Sequence, residues 1–203
     1  RKTRFPVKLG GMAVVLLVPL VVVAVLLVAR QQRDIETTQA EVEGVLNIRP
    51  AMEVLSLVQK HRGQTNVLLS GNPGVAAELS RTGEQLALAR AALDQRVAAN
   101  QSFDLSIAWK SLSDRLQRLP AESRAATPPA SFAQHTTLVA DLRRFIYTTA
   151  DASQLLFDPV PQTYLLMDSV VVRTVPLTEL LGQMRGAGAG LLARSEPDLA
   201  GAA

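Results

Sequence analysis

Between Lys8 and Arg30 the chain carries 21 consecutive residues without a charge, Leu9 to Ala29. At about 1.5 Å per residue a helix of that length reaches roughly 30 Å, the thickness of a bilayer's hydrocarbon core. Gly10, Gly11 and Pro19 would weaken a helix in water but are tolerated in lipid, where no other backbone structure satisfies its own hydrogen bonds. The competing reading is a cleaved signal peptide. Its apolar core runs only about 7–15 residues and ends in a small-x-small site, which Val25-Leu26-Leu27-Val28-Ala29-Arg30 lacks. The stretch is therefore expected to be an uncleaved transmembrane helix in contact with the lipid bilayer.

Charge sets its expected orientation. Arg1, Lys2, Arg4 and Lys8 form a basic flank, residues 1–8, with no acid. After the span, Arg30 and Arg33 are soon joined by Asp34, Glu36, Glu41 and Glu43. The positive-inside rule places the N-terminus in the cytoplasm and residues 30–203 outside, which in a two-membrane bacterium is the periplasm beyond the inner membrane. The net charge of +3 belongs to that flank: without its four cations, 17 basic residues face 18 acidic ones, a net charge of −1. A nucleic-acid partner needs a basic face on the folded part, so none is expected.

The exported part reads as all-α. Hydrophobic residues make up 48% but aromatics only 4%, and the apolar excess is Ala, Leu and Val at helical spacing. There is no Cys, which removes disulfides, thiolate zinc sites and a thiol nucleophile. Two histidines, His61 and His135, lie too far apart in sequence for a metal motif and read as packed or surface residues. No enzyme, cofactor or metal is expected.

Pattern and punctuation predict a helix over 30–71, kinked or broken at Pro50. Gly71-Asn72-Pro73-Gly74 is a stop and restart, with Gly ending one helix, Asn72 capping the next and Pro73 at its first position. A second helix is predicted over 74–119, with a weak point at Asn100-Gln101-Ser102, then a connector from Pro120 to Pro129. A third covers 131–157, Asp158-Pro159-Val160-Pro161 turns the chain, and a fourth starts near Gln162, contains Pro176 and fades at Gly186, Gly188 and Gly190. The third helix has the stripe Phe132, His135, Val139, Leu142, Ile146, Thr149, Ser153, Leu156. The fourth has Leu166, Val170, Arg173, Leu177, Leu180, Met184. Such heptad-like stripes predict an antiparallel helical bundle.

Two polar intrusions mark candidate binding residues. The first helix has the seam Ile48, Met52, Leu55, Gln59, Arg62, Asn66, Leu69, whose middle is polar. A buried guanidinium needs a partner: an internal acid, another subunit or a ligand. Arg173 interrupts the apolar run 170–176, and Asp168, five residues earlier, does not share its α-helical face well. If the first helix rises from Arg30, Arg62 stands 32 residues up, roughly 48 Å. A returning second helix and a shorter third would bring the start of the fourth to that level. Gln59, Arg62 and Asn66 are then expected to face Tyr164, Asp168 or Arg173, with Asp168 the natural counter-charge for Arg62. Gly186-Ala187-Gly188-Ala189-Gly190 follows a helix rather than a strand and is no nucleotide loop. Arg143-Arg144 reads as a solvated helix face.

Two stretches go beyond periodicity. Gln59-Lys60-His61-Arg62-Gly63 with Leu68-Leu69-Ser70-Gly71-Asn72 resembles the Q-x-H/E-R-G…G motif of bacterial helical sensor regions. Asp158-Pro159-Val160-Pro161-Gln162-Thr163-Tyr164-Leu165-Leu166-Met167-Asp168 resembles their D-P-x-x-x-S/T-Y-x-L-M-D segment, and Leu181-Gly182-Gln183-Met184-Arg185-Gly186 extends the likeness. The family is the periplasmic sensor region of methyl-accepting chemotaxis proteins. His61-Arg62-Gly63 is also similar to the E-R-G element of nitrate- and nitrite-sensing helical domains, where arginines hold the anion; here His61 replaces the usual Glu. The resemblance implies a homodimeric transmembrane chemoreceptor that senses a small molecule, an anion among the candidates, or a periplasmic partner, and whose output module follows residue 203. The same region also precedes histidine kinases and diguanylate cyclases. A membrane-anchored structural or adaptor protein without signalling is the alternative from another class.

Overall fold

The structure, a computed structural model, describes residues 5–100, 102–157 and 161–192. Every regular element among them is helical. The elements are α1 (Phe5–Leu69), a 3-10 turn (Pro73–Val75), α2 (Ala76–Ala99), α3 (Ser106–Ala125), α4 (Pro128–Ala152), a 3-10 turn (Leu155–Phe157), α5 (Pro161–Met167), a π-helical segment (Asp168–Thr174) and α6 (Val175–Leu192). The chain divides into two units, Arg1–Gln39 and Ala40–Ala203.

The first unit holds the uncharged stretch. One window in Leu9–Leu69 is long and apolar enough to cross a membrane, with a mean hydropathy of 3.2 and none of it buried inside the protein. A soluble core helix of that composition would be covered by other elements; this one is not.

In the second unit, the buried face of α1 repeats with alternating steps of four and three: Gly44, Ile48, Ala51, Leu55, Val58, Arg62, Thr65. That period gives a straight seam for neighbouring helices. The sequence-derived seam shares Ile48, Leu55 and Arg62 with it, but Met52, Gln59 and Asn66 are flanking, half-buried positions. Pro50 does not break α1. Packing of the buried face on both sides outweighs the one backbone bond that proline removes.

The helix stop at Gly71 has the expected chemistry. Gly71 has φ 107°, its N–H donates to Leu68 O and that of Asn72 to Val67 O, the two bonds of a Schellman motif. The Asn72 side chain then accepts from Gly74 N–H, with Pro73 next to it.

Beyond this point the architecture departs from expectation. The segment 74–119 is two helices, because Asn100 and Asp104 accept from Ser102 and Ser106 N–H and so stop one helix and start the next. Asp94 latches the pair, accepting from Trp109 Nε1 at 2.6 Å, Ser113 Oγ at 2.8 Å and Arg90 at 2.9 Å. The connector shrinks to Ala126 and Thr127: α3 continues through Pro120 to Ala125, held by buried Leu116, Leu119 and Ser123. Pro128 opens α4 at a first-turn position, where no N–H is needed. The turn expected at Asp158–Pro161 lies, except for Pro161, outside the described residues.

Contacts give the direction of each helix. Along α1 and α2, Glu43 meets Arg96 and Lys60 meets Glu78. Along α1 and α4, Gly44 approaches Ser153 while His61 meets His135. Both pairings run in opposite senses. Along α1 and α6, Gln59 and Arg62 meet Glu179 and Asn66 meets Gly186, so the numbers rise together. The extra reversal at 100–105 is the reason: it sends α4 back along α1, and α6 then travels beside α1 in the same sense. The core comprises Val54, Val58, Leu93, Trp109, Leu142 and Val175 among others, and α4 buries the predicted stripe from His135 to Ser153.

The last helix turns the opposite way from its predicted stripe. Leu166, Leu177, Leu180 and Met184 are 61%, 55%, 60% and 73% exposed. Val171, Val175, Glu179, Gly186 and Gly190 face inward instead. The π-helical segment adds a residue to the turn, which rotates everything after it relative to a continuous α-helical count. It also ends next to Pro176, whose ring would clash with the carbonyl four residues back in a regular turn. The glycines do not end α6, which runs to Leu192.

Candidate functional site

Three helices bring polar side chains into the upper core of the second unit. On α1, His61 and Arg62 follow directly from Val58 on the buried face, and both are at most 1% exposed. On α4, His135 and Thr136 occupy the facing turn. On α6, Glu179 follows Val175 by one turn and is 3% exposed.

Arg62 and Glu179 form a two-pronged ion pair, Nη1 to Oε1 at 2.6 Å and Nη2 to Oε2 at 3.2 Å. Gln183 Nε2 donates to Oε1 at 2.7 Å and Gln59 Nε2 to Oε2 at 2.8 Å, so the carboxylate accepts four bonds. Arg62 Nη1 also donates to Thr136 Oγ1 at 3.1 Å, and the guanidinium carbon lies 5.0 Å from the Phe132 ring centroid. Burial alone would raise the Glu179 pKa; the bonds from Arg62, Gln183 and Gln59, with the Arg62 charge, outweigh it and hold the carboxyl below its ordinary value. The pair is ionised and closed. Such a clamp is costly to break from one side, about 3–5 kcal/mol, because the remaining charge stays buried.

Beside it, His61 Nδ1 and His135 Nε2 are 2.8 Å apart with stacked rings. The tautomers follow from the partners. His135 Nδ1 lies 2.7 Å from Ser131 O, a carbonyl that only accepts, so His135 Nδ1 carries the proton. A neutral His135 then presents Nε2 as an acceptor, and His61 Nδ1–H donates to it. His61 Nε2 is left buried without a partner among the described residues. Burial, with the neighbouring His135 and Arg124 charges, lowers the His61 pKa to about 3. Burial lowers that of His135 to about 4, against the raising effect of the Ser131 carbonyl and with the Arg62 charge.

The glycines of α6 make the close approach possible. A Cβ at Gly182 would stand 3.2 Å from Arg62 Nη2 and one at Gly186 3.1 Å from the Phe132 ring, while one at Gly190 would collide with the Asn66 amide. Asn66 Nδ2 donates to Gly186 O at 2.9 Å, a contact only a side-chain-free surface admits. On the solvent side of this seam lies an open groove of about 660 Å³ between α1, the start of α2 and α6. Gln59, Gln64, Lys60 and Arg185 line it.

Of the six residues singled out from the sequence, Gln59, Arg62 and Asn66 share this place. Tyr164, Asp168 and Arg173 do not join them. Arg62 is paired with Glu179 rather than Asp168, because α6 runs alongside α1 and reaches the Arg62 level more than two turns after Asp168. Asp168 is instead bonded to Arg173, Nε to Oδ2 at 2.7 Å. In an α-helix a five-residue spacing would splay these side chains; in the π-helical turn i and i+5 are stacked, as the Thr174 bond to Ser169 O also shows. Asp168 raises the pKa of the exposed Arg173, with Tyr164 nearby.

Sequence reasoning missed Glu179 and the meeting of the two histidines. Two signals were present: Glu179 stands alone as an acid among the apolar residues of α6, and Gly182, Gly186 and Gly190 recur every four residues. Both mark the α6 face that turns inward. No protein family, curated protein or solved structure matches this chain.

Proposed function

We propose that this chain is the sensor region of a transmembrane chemoreceptor, with residues 9–29 in the inner membrane, the N-terminus in the cytoplasm and residues 30–203 forming a periplasmic antiparallel helical bundle. The carrying observation is that a single helix, α1, contains both the apolar stretch and the buried residues of the clamp. A binding event beside Gln59, Arg62 and Asn66 acts on the helix that enters the bilayer. The motif likeness to methyl-accepting chemotaxis sensors supports the same reading.

The clamp supplies a mechanism. Arg62 and Glu179 tie α1 to α6 through a pair that tolerates few geometries, and the glycine face of α6 offers little side-chain interlock to resist sliding. A ligand that contacts Gln59 competes with, or reinforces, its bond to Glu179 and biases two packings of α1 on α6. The absence of Cys makes the topology directly testable. Thr3→Cys and Ser102→Cys variants are labelled in intact spheroplasts with a membrane-impermeant maleimide. Labelling of position 102 and protection of position 3 is the expected result; the reverse pattern, or loss of the span from the mature protein, contradicts the reading.

A further inference from the structure

We propose that the groove between α1, the start of α2 and α6 binds a small organic anion that also carries a hydrogen-bond donor and a short apolar tail. This names the ligand class for the receptor reading above and rests on it. The groove, about 660 Å³, is in the range that holds small molecules. Its charged lining is Lys60, Arg185 and Glu78, one cation in excess. Arg185 has no ion-pair partner among the described residues. Lys60 and Glu78 are 3.3 Å apart with side chains 46% and 56% exposed, a pair too solvated to hold Lys60 against a competing anion. Arg81 lies with the same two residues in an adjoining depression and adds to the positive field.

Gln64 sets the second requirement. It lines the groove, is only 8% exposed, and its Oε1 has no partner among the described residues. A buried acceptor left bare is unfavourable, and a ligand N–H or O–H beside it removes that deficit. Val67, Val75 and Leu181 supply an apolar wall. Gln59 also lines the groove and donates to Glu179, so an occupant touches the clamp without displacing Arg62.

The test uses the full chain in nanodiscs and titration calorimetry with three probes: 2-hydroxy-4-methylpentanoate, 4-methylpentanoate and 2-hydroxy-4-methylpentanamide. The hydroxy acid should bind, and loss of either its hydroxyl or its charge should weaken binding about tenfold or more. Arg185→Gln and Lys60→Gln should each weaken the hydroxy acid about tenfold. Both side chains are exposed, so ligand-free melting temperatures should not change. No binding of the hydroxy acid at millimolar concentration, equal affinity for the amide, or full affinity in the double variant overturns the proposal. The maleimide labelling above involves no ligand, so failure here leaves the anchoring untouched and the two outcomes remain separable.

Discussion

Acid should destabilise the second unit chiefly through His61 and His135. Both are 0% exposed, and burial lowers their pKa values from 6.5 to about 3 and about 4 respectively. In the unfolded chain both titrate near 6.5. Between those values the unfolded state binds more protons than the folded one. Stability is therefore complete above about pH 6.5 and falls as the pH drops toward 4. Each histidine contributes a slope of about 1.4 kcal/mol per pH unit, so the pair removes about 6 kcal/mol between pH 8 and pH 4 as an upper figure. That is comparable to the whole stability of a typical domain. Protonating His135 also breaks the bond between the rings, since its Nε2 would no longer accept from His61 Nδ1. Glu179, whose folded pKa is depressed, acts in the same direction at lower pH, its contribution lost as the pH falls through that value. Urea unfolding followed by circular dichroism from about pH 8 to about pH 4.5 measures the slope. A His61→Gln, His135→Gln double variant keeps amide donors and acceptors without titration and should flatten it. Constant wild-type stability between about pH 7 and pH 5, or an unchanged slope in the double variant, refutes the reasoning.

Glu179→Ala should destabilise by about 3–5 kcal/mol by leaving Arg62 charged and buried, whereas replacing both by Met and Leu should cost far less; chemical denaturation of the three proteins separates the cases. Gly190→Leu should displace Asn66 and lower the melting temperature by several degrees, because the Cβ position is already occupied by the Asn66 amide. Leu142→Ala, at a fully buried α4 position, should cost about 2–5 kcal/mol. Asp168→Asn should change stability by less than about 1 kcal/mol, since Arg173 in that pair is exposed.

What could be read from the sequence follows the physics of each signal. The helix stop at Gly71–Pro73 was legible because a left-handed residue, an Asn cap and a first-turn proline are local requirements. The α4 stripe was legible because it is an uninterrupted α-helix buried along one face. The last helix was not, because its large apolar residues Leu166, Leu177, Leu180 and Met184 lie on an exposed face both before and after the π-helical segment, while the inward face carries Val171, Val175, Glu179 and small glycines. The candidate site suffered from a different error. Arg62 was identified as a buried charge needing a partner, but its partner depends on the number of chain reversals before α6. The weak point at Asn100–Ser102 is legible, but a single helix over 74–119 reverses the direction of every later element, and the sequence pattern does not separate that case from two helices. Glu179 came into reach only through that reversal, and Asp168 was carried out of it. His61 and His135 read as packed or surface residues and both are buried; their contact with each other is a tertiary fact that no spacing encodes.

An occupant of the groove should shift α1 against α6. A cysteine-free chain permits spin labels at Glu53→Cys on α1 and Met184→Cys on α6, both exposed positions, with their separation read by pulsed dipolar spectroscopy in nanodiscs. Saturating 2-hydroxy-4-methylpentanoate should move the distance distribution by roughly 1–2 Å, the scale of known helix shifts in receptors and allosteric interfaces. Arg185→Gln should raise the probe concentration needed for the change about tenfold. A distribution that stays identical with and without the bound probe contradicts the account.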